Sequence, residues 1–539
     1  MPSRIRRALD ELPETLDATY ERTLRGIDKA NRDYAYRIFQ CLVASIRPLR
    51  VEELAELLLS SRTVTETSLT GSRTAEEFVL SACSTLLTVV NVDGNQVVQF
   101  SHFSVKEYLT SNRIASSGPV SYFHIRSEPA HTCLASACLS VLLQLDNQID
   151  ETKIKSYPSA SYAAEHWVKH AQFENVSSRI QDSMERLFDR DKPHFAAWIW
   201  LYDIDNPSSG SATHPDVPNA VPLYYAALCG FRGISECLVQ KHPQDVHARG
   251  GRCVTPLHAA SDNGHANVAL LLLEHGADVN SGGPYHHTPL HLSAYRGFTH
   301  TTRLLIDCGA DPNATNVGQE TPLIMASNNG SLEVAMLLLA CGGKLDLPDN
   351  SGWTPLHVAS LIGHEDIVRL LLDHGANPNA ENDIRDTPLH IASFHGKITI
   401  TRLLLERGAD AGALNLQGGT PLHDAVQSGR PDVVQLLLDY GCDVNAQNED
   451  DRTALHMAAH HGHPRKIFFT RGAYANTQDG DGWTALHLAA YHGHVEVGKL
   501  LLTRGGRWYT QNNEGNTPLQ VALEGDHSEI TQLLSKQYW

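Results

Sequence analysis

No apolar run in this 539-residue sequence approaches the roughly 20 residues that a membrane span requires. The opening MPSRIRRALDEL has arginines but no apolar core, so it is not read as a secretory signal. Ten cysteines occur and no two stand as C-x-x-C, which argues against zinc and thiol-redox chemistry. Their neighbours are mostly apolar, so they read as small hydrophobes in a reducing, intracellular setting, the cytoplasm with the nucleus as an alternative. Positive charge is scarce. Lys and Arg number 43 against 61 Asp and Glu, a net charge of −18, which excludes nucleic acid and anionic membrane as partners drawn by bulk electrostatics. The phosphate-binding loop G-x-x-x-x-G-K-[ST] is missing, since CGGKL and HGKIT lack its spacing and the hydroxyl after Lys. G-x-S-x-G and H-E-x-x-H are missing as well. No catalytic residue, cofactor site or metal site is therefore assigned, and the chain reads as non-enzymatic.

What the second half contains is self-similarity. TPLHAASDNGHANVALLLLEHGADVN (255–280) returns as TPLHLSAYRGFTHTTRLLIDCGADPN (288–313) and as TPLHVASLIGHEDIVRLLLDHGANPN (354–379). The opening Thr stands at 255, 288, 321, 354, 387, 420, 453, 484 and 517, and Val221 opens an earlier copy. Seven of the nine steps are 33 residues, the first is 34 and one is 31. Each copy reads as two short helices. Thr caps the first and Pro suits its first turn. An apolar triplet such as Leu370–Leu372 closes the second, and Gly375 supplies the left-handed residue that ends it. One copy cannot bury its apolar faces alone, so stability is a sum over adjacent pairs. The last copy, TPLQVALEGDHSEITQLLSKQYW, has Gln520 in place of His and reads as a C-terminal cap.

A 33-residue period opened by T-P-L-H resembles the ankyrin repeat, in about ten copies over 221–539. The resemblance implies a hairpin and two antiparallel helices per copy, stacked as a solenoid. It also implies a protein partner held along a concave groove about 100 Å long, at ~10 Å per repeat. Two places before Thr, four hairpin tips carry Gly352, Gly418, Gly482 and Gly515, whereas four others carry His286, Gln319, Arg385 and Asp451. Side chains there are expected to sit on strained backbone and project into the groove. On the first helix the variable pair is often large: Tyr295/Arg296, Leu361/Ile362, Phe394/His395, His460/His461 and Tyr491/His492. The candidate contacts are the four non-glycine tips with Tyr295, Arg296, Phe394, His395, Tyr491 and His492, Tyr and Arg being common hot-spot residues. Trp353 and Trp483 read equally well as braces of the hairpin.

The histidines of T-P-L-H and T-A-L-H (258, 291, 357, 390, 423, 456 and 487) are expected to hydrogen-bond between neighbouring hairpins rather than to hold metal. The cluster HHGH (460–463) contains two of the repeat's own histidines and is not read as a zinc site. Cys308 and Cys341 sit one repeat apart, where helices ~8–10 Å from each other cannot be bridged. The copy TALHMAAHHGHPRKIFFTRGA (453–473) lacks two residues. The loss falls near Pro464, which predicts a shortened second helix, a local change of curvature, and Phe468 and Phe469 filling the gap.

The first half is a different unit. Leu9, Leu12, Leu16, Tyr20, Leu24 and Ile27 form one stripe of an amphipathic helix, with Pro13 near its start. DYAYRIFQCLVAS and RPLRVEELAELLLSS read as helices, TAEEFVLSACSTLLTVV as a third running into a strand, and Asp93-Gly94 as the turn of a hairpin. Three helices and a hairpin make a winged helix. Glu76 and Glu77 on the third helix, with no basic residue after Arg73, argue against DNA recognition. LDELPETLDATYERTL, RPLRVEEL and VQFSHFSVKEYL, followed by HTCLASACLSVLL and YPSASYAAEHWVKHA, resemble the winged helix that follows the NACHT NTPase in fungal NLR-like proteins, the GPI inositol-deacylase type. The resemblance implies an NTPase module in cis or in trans, a part in non-self recognition with the repeats as sensor, and His102 as the nucleotide-sensing position. Without a phosphate loop His102 has no nucleotide to sense and is expected to pack under the wing. The first helix then reads as the joint between NTPase and winged helix, in a chain that is either a truncated gene product or one that has lost its motor, and its stripe is expected to fold back on the winged helix.

The expected fold is mainly α. Residues 1–28 are the linker helix of the junction, 29–115 the winged helix, 116–203 a helical connecting segment, 204–220 a Pro/Ser/Gly-rich linker, and 221–539 an ankyrin-repeat α-solenoid with β-hairpin fingers.

Overall fold

In the computed structural model, which describes residues 16–60, 86–146, 149–150, 152–207, 218–463 and 467–537, the N-terminal stripe is covered from Tyr20 onward. Leu24 is fully buried and Tyr20 and Ile27 nearly so. Tyr20 Oη lies 2.7 Å from Ser104 Oγ, its ring is 5.7 Å from that of Tyr108, and Arg113 pairs with Asp17 at 2.6 Å. The helix over 16–25 thus folds back on the helix Phe103–Thr110. Leu16 stays exposed, and Leu9, Leu12 and Pro13 lie outside the described residues.

The chain divides into two compact units, 1–278 and 279–539. The first begins with helices Arg32–Ala44 and Val51–Ser60 and an antiparallel sheet of β1 (Leu49–Arg50), β2 (Leu87–Val92) and β3 (Asn95–Phe100) in the order β1-β3-β2. Asp93 (φ 50°) and Gly94 (φ 83°) turn β2 into β3, as an Asp-Gly pair with two positive φ values does. The motif RPLRVEEL acts here as a structural clip. The fully buried Glu53 carboxylate is held by Arg47 at 2.7 Å and Arg50 at 3.0 Å, fixing β1 against the helix that follows it. The expected third helix lies mostly outside the described residues.

Helices Ser127–Leu142, Ala160–Ala171 and His194–Leu201 continue the unit. Their aromatic side chains run into the first repeat. Trp167 lies 5.1 Å from Trp198 and 5.4 Å from Phe231, and Phe195 lies 5.5 Å from Tyr225. The buried Asp205 accepts from Tyr224 Oη (2.8 Å) and Arg252 N (2.5 Å), and Cys253 N donates to Tyr224 Oη (3.0 Å). The opening of the 204–220 segment is therefore bonded into the first repeat, which belongs to this unit; 208–217 lie outside the described residues.

The second unit repeats one design. Thr354 caps helix Pro355–Ile362, which ends at Gly363 (φ 106°), and helix Glu365–Asp373 ends before Gly375 (φ 90°). Leu356 and Leu371 are fully buried, each such side chain contributing about 1.5–3 kcal/mol. Gly330 (φ 78°) is required twice over: the backbone is left-handed, and an added Cβ would meet the ring of His364 at 2.5 Å. The fingers are tight turns, with isolated β-bridges at Gln447–Thr453 and Gln478–Thr484 among the described residues. Side chains close them instead of a strand ladder. Asp349 Oδ1 accepts from Ser351 N and Trp353 N (2.8 Å each), and Asn382 Oδ1 from Asp386 N (2.8 Å). In the short copy the described part of the second helix is Ile467–Thr470, and residues 464–466 before it, Pro464 among them, lie outside the described residues. Phe468 is fully buried, but Phe469 is only half-buried under Arg504, 5.9 Å from its ring, so one phenylalanine fills the space rather than two.

Candidate protein-binding face

Six of the repeats are locked to the next by a histidine. His291 Nδ1 accepts from Thr288 N (3.2 Å) and its Nε2 donates to Glu320 O (3.0 Å) in the following copy. His357 reaches Asp386 O, His390 reaches Gly419 O, His423 reaches Arg452 O and His487 reaches Asn516 O, at 3.0 to 3.2 Å. Across the short copy His456 still reaches Trp483 O (3.1 Å) and also Thr477 O (3.0 Å). An imidazole that accepts at Nδ1 and donates at Nε2 must be neutral. Burial pushes His291 and His357 down to about 4 and lowers the others in the same direction. These histidines are structural pins, as their spacing predicts. Gln520 keeps half of the arrangement, accepting from Thr517 N at 2.7 Å.

The pins hold the fingers in a row. Val317 N donates to Tyr285 O (2.8 Å), Asn350 N to Gly318 O (2.8 Å), Asp383 N to Ser351 O (3.1 Å), Leu416 N to Ile384 O (2.8 Å) and Glu449 N to Gln417 O (3.1 Å). Along this rail His286, Gln319, Arg385 and Asp451 all have left-handed backbone (φ 60°, 57°, 59° and 59°), like the glycines at the equivalent tips. Arg385 pairs with Glu381 at 3.1 Å across the exposed loop. Tyr285, Val317, Ile384 and Leu416 are large apolar side chains left exposed beside them.

The first-helix candidates also face outward. Tyr295, Phe394 and Tyr491 are 43%, 41% and 47% exposed, well above the buried residues of the same helices. Arg296 stands 6.0 Å from the Tyr295 ring, and Tyr491 packs against Trp483 (5.5 Å) and His492 (5.0 Å). The rings of His460 and His492 are 4.3 Å apart. Burial, then the neighbouring imidazoles, lower both. Phe394 and His395 come together with Trp353, Ile384 and Leu416 around a cleft of about 370 Å³. Trp353 and Trp483 each pack on the pin histidine of their own copy, at 5.8 and 5.9 Å.

His102 is not under the wing. Its ring is exposed, Nδ1 accepts from Ser104 N (3.3 Å) and lies 2.6 Å from Ser104 Oγ, and the ring stacks on Phe103 at 4.4 Å. The residue caps the helix Phe103–Thr110, and a cap must stay at the helix end instead of turning inward.

Sequence reasoning missed two sets of residues and one single residue. The Asn or Asp five places before seven of the nine Thr closes the finger, and its recurrence at 316, 349, 382, 415, 448, 479 and 512 was the available signal. A second asparagine series ties successive loops: Asn313 Nδ2 donates to Gly342 O (3.0 Å) while its Oδ1 accepts from Lys344 N (2.8 Å), and Asn379 and Asn476 act alike. The third omission is Asp424, the one charged residue at a position where the other T-P-L-H and T-A-L-H copies are apolar.

Fold and side-chain pins together define a protein built of stacked helical repeats. The family model for ankyrin repeats (3 copies) matches residues 209–283, 290–382, 378–448, 441–505 and 455–538, and the chain belongs to the ankyrin-repeat proteins. The model for the GPI inositol-deacylase winged helix domain matches 20–121. The chain is similar to azaphilone pigments biosynthesis cluster protein L of Monascus ruber, 32% identical over 289 residues, which are 49% of this chain and 60% of that protein. It is also similar to alpha-latrocrustotoxin-Lt1a of Latrodectus tredecimguttatus, 36% identical over 66 residues, 12% of this chain and 5% of the toxin. The matches thus span 60% and 5% of the lengths of these relatives. Among the described residues no helix is long and apolar enough to cross a membrane. Ankyrin repeats are interaction modules, and protein partners are what such arrays imply.

Proposed function

We propose that this chain is a non-enzymatic adaptor that binds a protein partner through its finger tips and first-helix faces, within an intracellular compartment. The observation that carries the reading is the rail of bonded fingers on which His286, Gln319, Arg385 and Asp451 hold side chains at left-handed positions that glycine fills elsewhere. An adaptor needs a stiff surface with variable side chains, and the pins and asparagine ties supply the stiffness. The free thiols of Cys308 and Cys341, both exposed, support a reducing setting. The test is cross-linking of the full chain in native extract, with mass-spectrometric mapping. Cross-links from one partner should concentrate near Tyr295, Arg296, Phe394, His395, Tyr491 and His492. They should be lost when the four tips are all changed to Gly. A partner held as well by that variant would overturn the reading.

A second reading is a fragment of a NACHT-type signalling receptor with the repeats as its sensor. It is supported by the order of a GPI inositol-deacylase-type winged helix followed by ankyrin repeats. An in-frame phosphate loop in the transcript upstream of Met1 would favour it. The 539-residue chain should bind no ATP or GTP, and measurable affinity would show that His102 still serves a nucleotide.

A further inference from the structure

The position after the pin histidine is Ala259, Leu292, Val358, Ile391, Met457 or Leu488 in the other histidine-bearing copies, and Asp424 in one. Asp424 is half-buried on the helix Pro421–Gln427, and among the described residues no cation and no hydrogen-bond donor lies against its carboxylate. Burial, then the nearby carboxylate of Asp386, push it up to about 8. An acid at an apolar position, desolvated and beside a second acid, is costly to the fold. Nothing inside the repeat offsets that cost.

Asp424 and Asp386 both line the cleft of about 370 Å³, whose other walls include Trp353, Ile384, Phe394 and Leu416. None of the residues lining it is Lys or Arg. Cations of the neighbouring copies are engaged elsewhere: Arg385 with Glu381 (3.1 Å), Lys397 Nζ with Ile362 O (2.9 Å) and Arg430 Nε with Phe394 O (3.3 Å). The imidazole of His390 is pinned neutral by its bond to Gly419 O. The volume is at the small end of ligand clefts, about 300–1,000 Å³, and suits one long side chain rather than a helix.

We propose that this cleft receives a lysine or arginine side chain from an extended segment of the protein partner, its aliphatic stem against Trp353, Phe394 and Ile384 and its cationic head on Asp424 and Asp386. A stem that is apolar and a head that is charged match the two surfaces of the cleft, and aromatic faces add attraction for the cation. A charge pair formed away from water is stronger than one on an open surface. The proposal rests on the reading of this array as a protein-binding surface, and it names the chemistry recognised there.

The test uses the full chain, a displayed random 12-residue peptide library and the variants Asp424→Leu and Asp424→Asn. Leucine occupies the equivalent position in two other copies, so Asp424→Leu keeps the repeat. The expected result is a set of enriched peptides sharing one Lys or Arg at a fixed position beside an apolar residue. Synthetic versions should lose at least tenfold in affinity on Asp424→Leu and Asp424→Asn. A similar loss should follow when the basic residue is replaced by norleucine or citrulline. Peptides with a basic residue that bind Asp424→Leu equally well would overturn the proposal. So would enriched peptides that lack a basic residue but are lost from the four-glycine tip variant, and these would leave the wider protein-binding reading standing. No enrichment over blank resin would count against both.

Discussion

His357 Nε2 donates to the carbonyl oxygen of Asp386, 29 residues further along the chain, across 3.0 Å, while its Nδ1 accepts from Thr354 N at 3.2 Å. One buried ring therefore caps the helix of its own repeat and pins the finger of the next. Removing it leaves the buried Thr354 N unpaired, at about 1–3 kcal/mol, and takes one of two bonds from the Asp386 carbonyl, which also accepts from Asn382 N at 3.1 Å. His357→Ala is expected to destabilise the fold by roughly 2–5 kcal/mol. His357→Gln should recover part of the loss, because Gln520 makes the capping bond in the last copy. Urea unfolding of the three proteins checks the order.

The same neutral rings set a pH dependence. Above about pH 6.5 a histidine is neutral in both folded and unfolded chains and contributes no slope. As pH falls below that value the unfolded chain takes up protons that the folded array refuses until about pH 4, the value to which burial lowers His291 and His357. Stability is therefore lost on acidification, by up to ~1.4 kcal/mol per pH unit for each such histidine. The urea midpoint should fall from pH 7 to pH 5. A flat or rising midpoint would contradict a neutral lock.

Asp424 carries the opposite sign. Its folded value of about 8 lies above that of an unfolded aspartate, so the folded state holds its proton more tightly. The contribution is fully present below about pH 4 and is lost as pH rises through 8. Asp424→Leu should melt higher than the parent, by an amount that widens between pH 5 and pH 8. Differential scanning fluorimetry at those pH values reads the gap. The gain in stability would accompany the loss of binding described above, a common trade at interaction sites.

Backbone sign separates two kinds of tip and cap. Gly330→Ala puts a Cβ at positive φ and within 2.5 Å of the His364 ring, and should cost about 1–3 kcal/mol. Arg385→Gly meets a position that already has φ 59°. Relief of the left-handed strain is offset by greater freedom of the unfolded chain, so the net change should stay within ~1 kcal/mol. Chemical denaturation distinguishes them, and a large loss with Arg385→Gly would mean that the arginine is structural.

In the short copy the two phenylalanines are not equal. Phe468 is fully buried, so Phe468→Ala should cost about 3–5 kcal/mol. Phe469→Ala should cost well under half of that, since its ring is half-buried under Arg504. Unfolding midpoints of the two variants give the comparison.

The repeat boundaries, the caps, the pin histidines and the Asp93-Gly94 turn were legible because each depends on a short run of residues whose local chemistry admits few conformations. A Thr-Pro start, a Gly stop and an Asp-Gly turn act within four residues of themselves, and a 33-residue period multiplies the signal. Residues 255–280 also reveal that their apolar faces need a neighbour. His102 was misplaced because capping a helix and filling a core ask for the same residue, and only the surrounding chain decides between them. The half-buried Phe469, the aromatic cluster that carries the first repeat into the unit with Trp167 and Trp198, and the meeting of Asp424 with Phe394, Ile384 and Leu416 were likewise outside the reach of local rules. By itself the sequence determined which helices form and how they repeat, since that is the physics of near neighbours along the chain. Only the tertiary structure decided which side chains lie open around a shared cleft, because that depends on residues up to 74 positions apart, from Trp353 to Gln427, being brought together by packing.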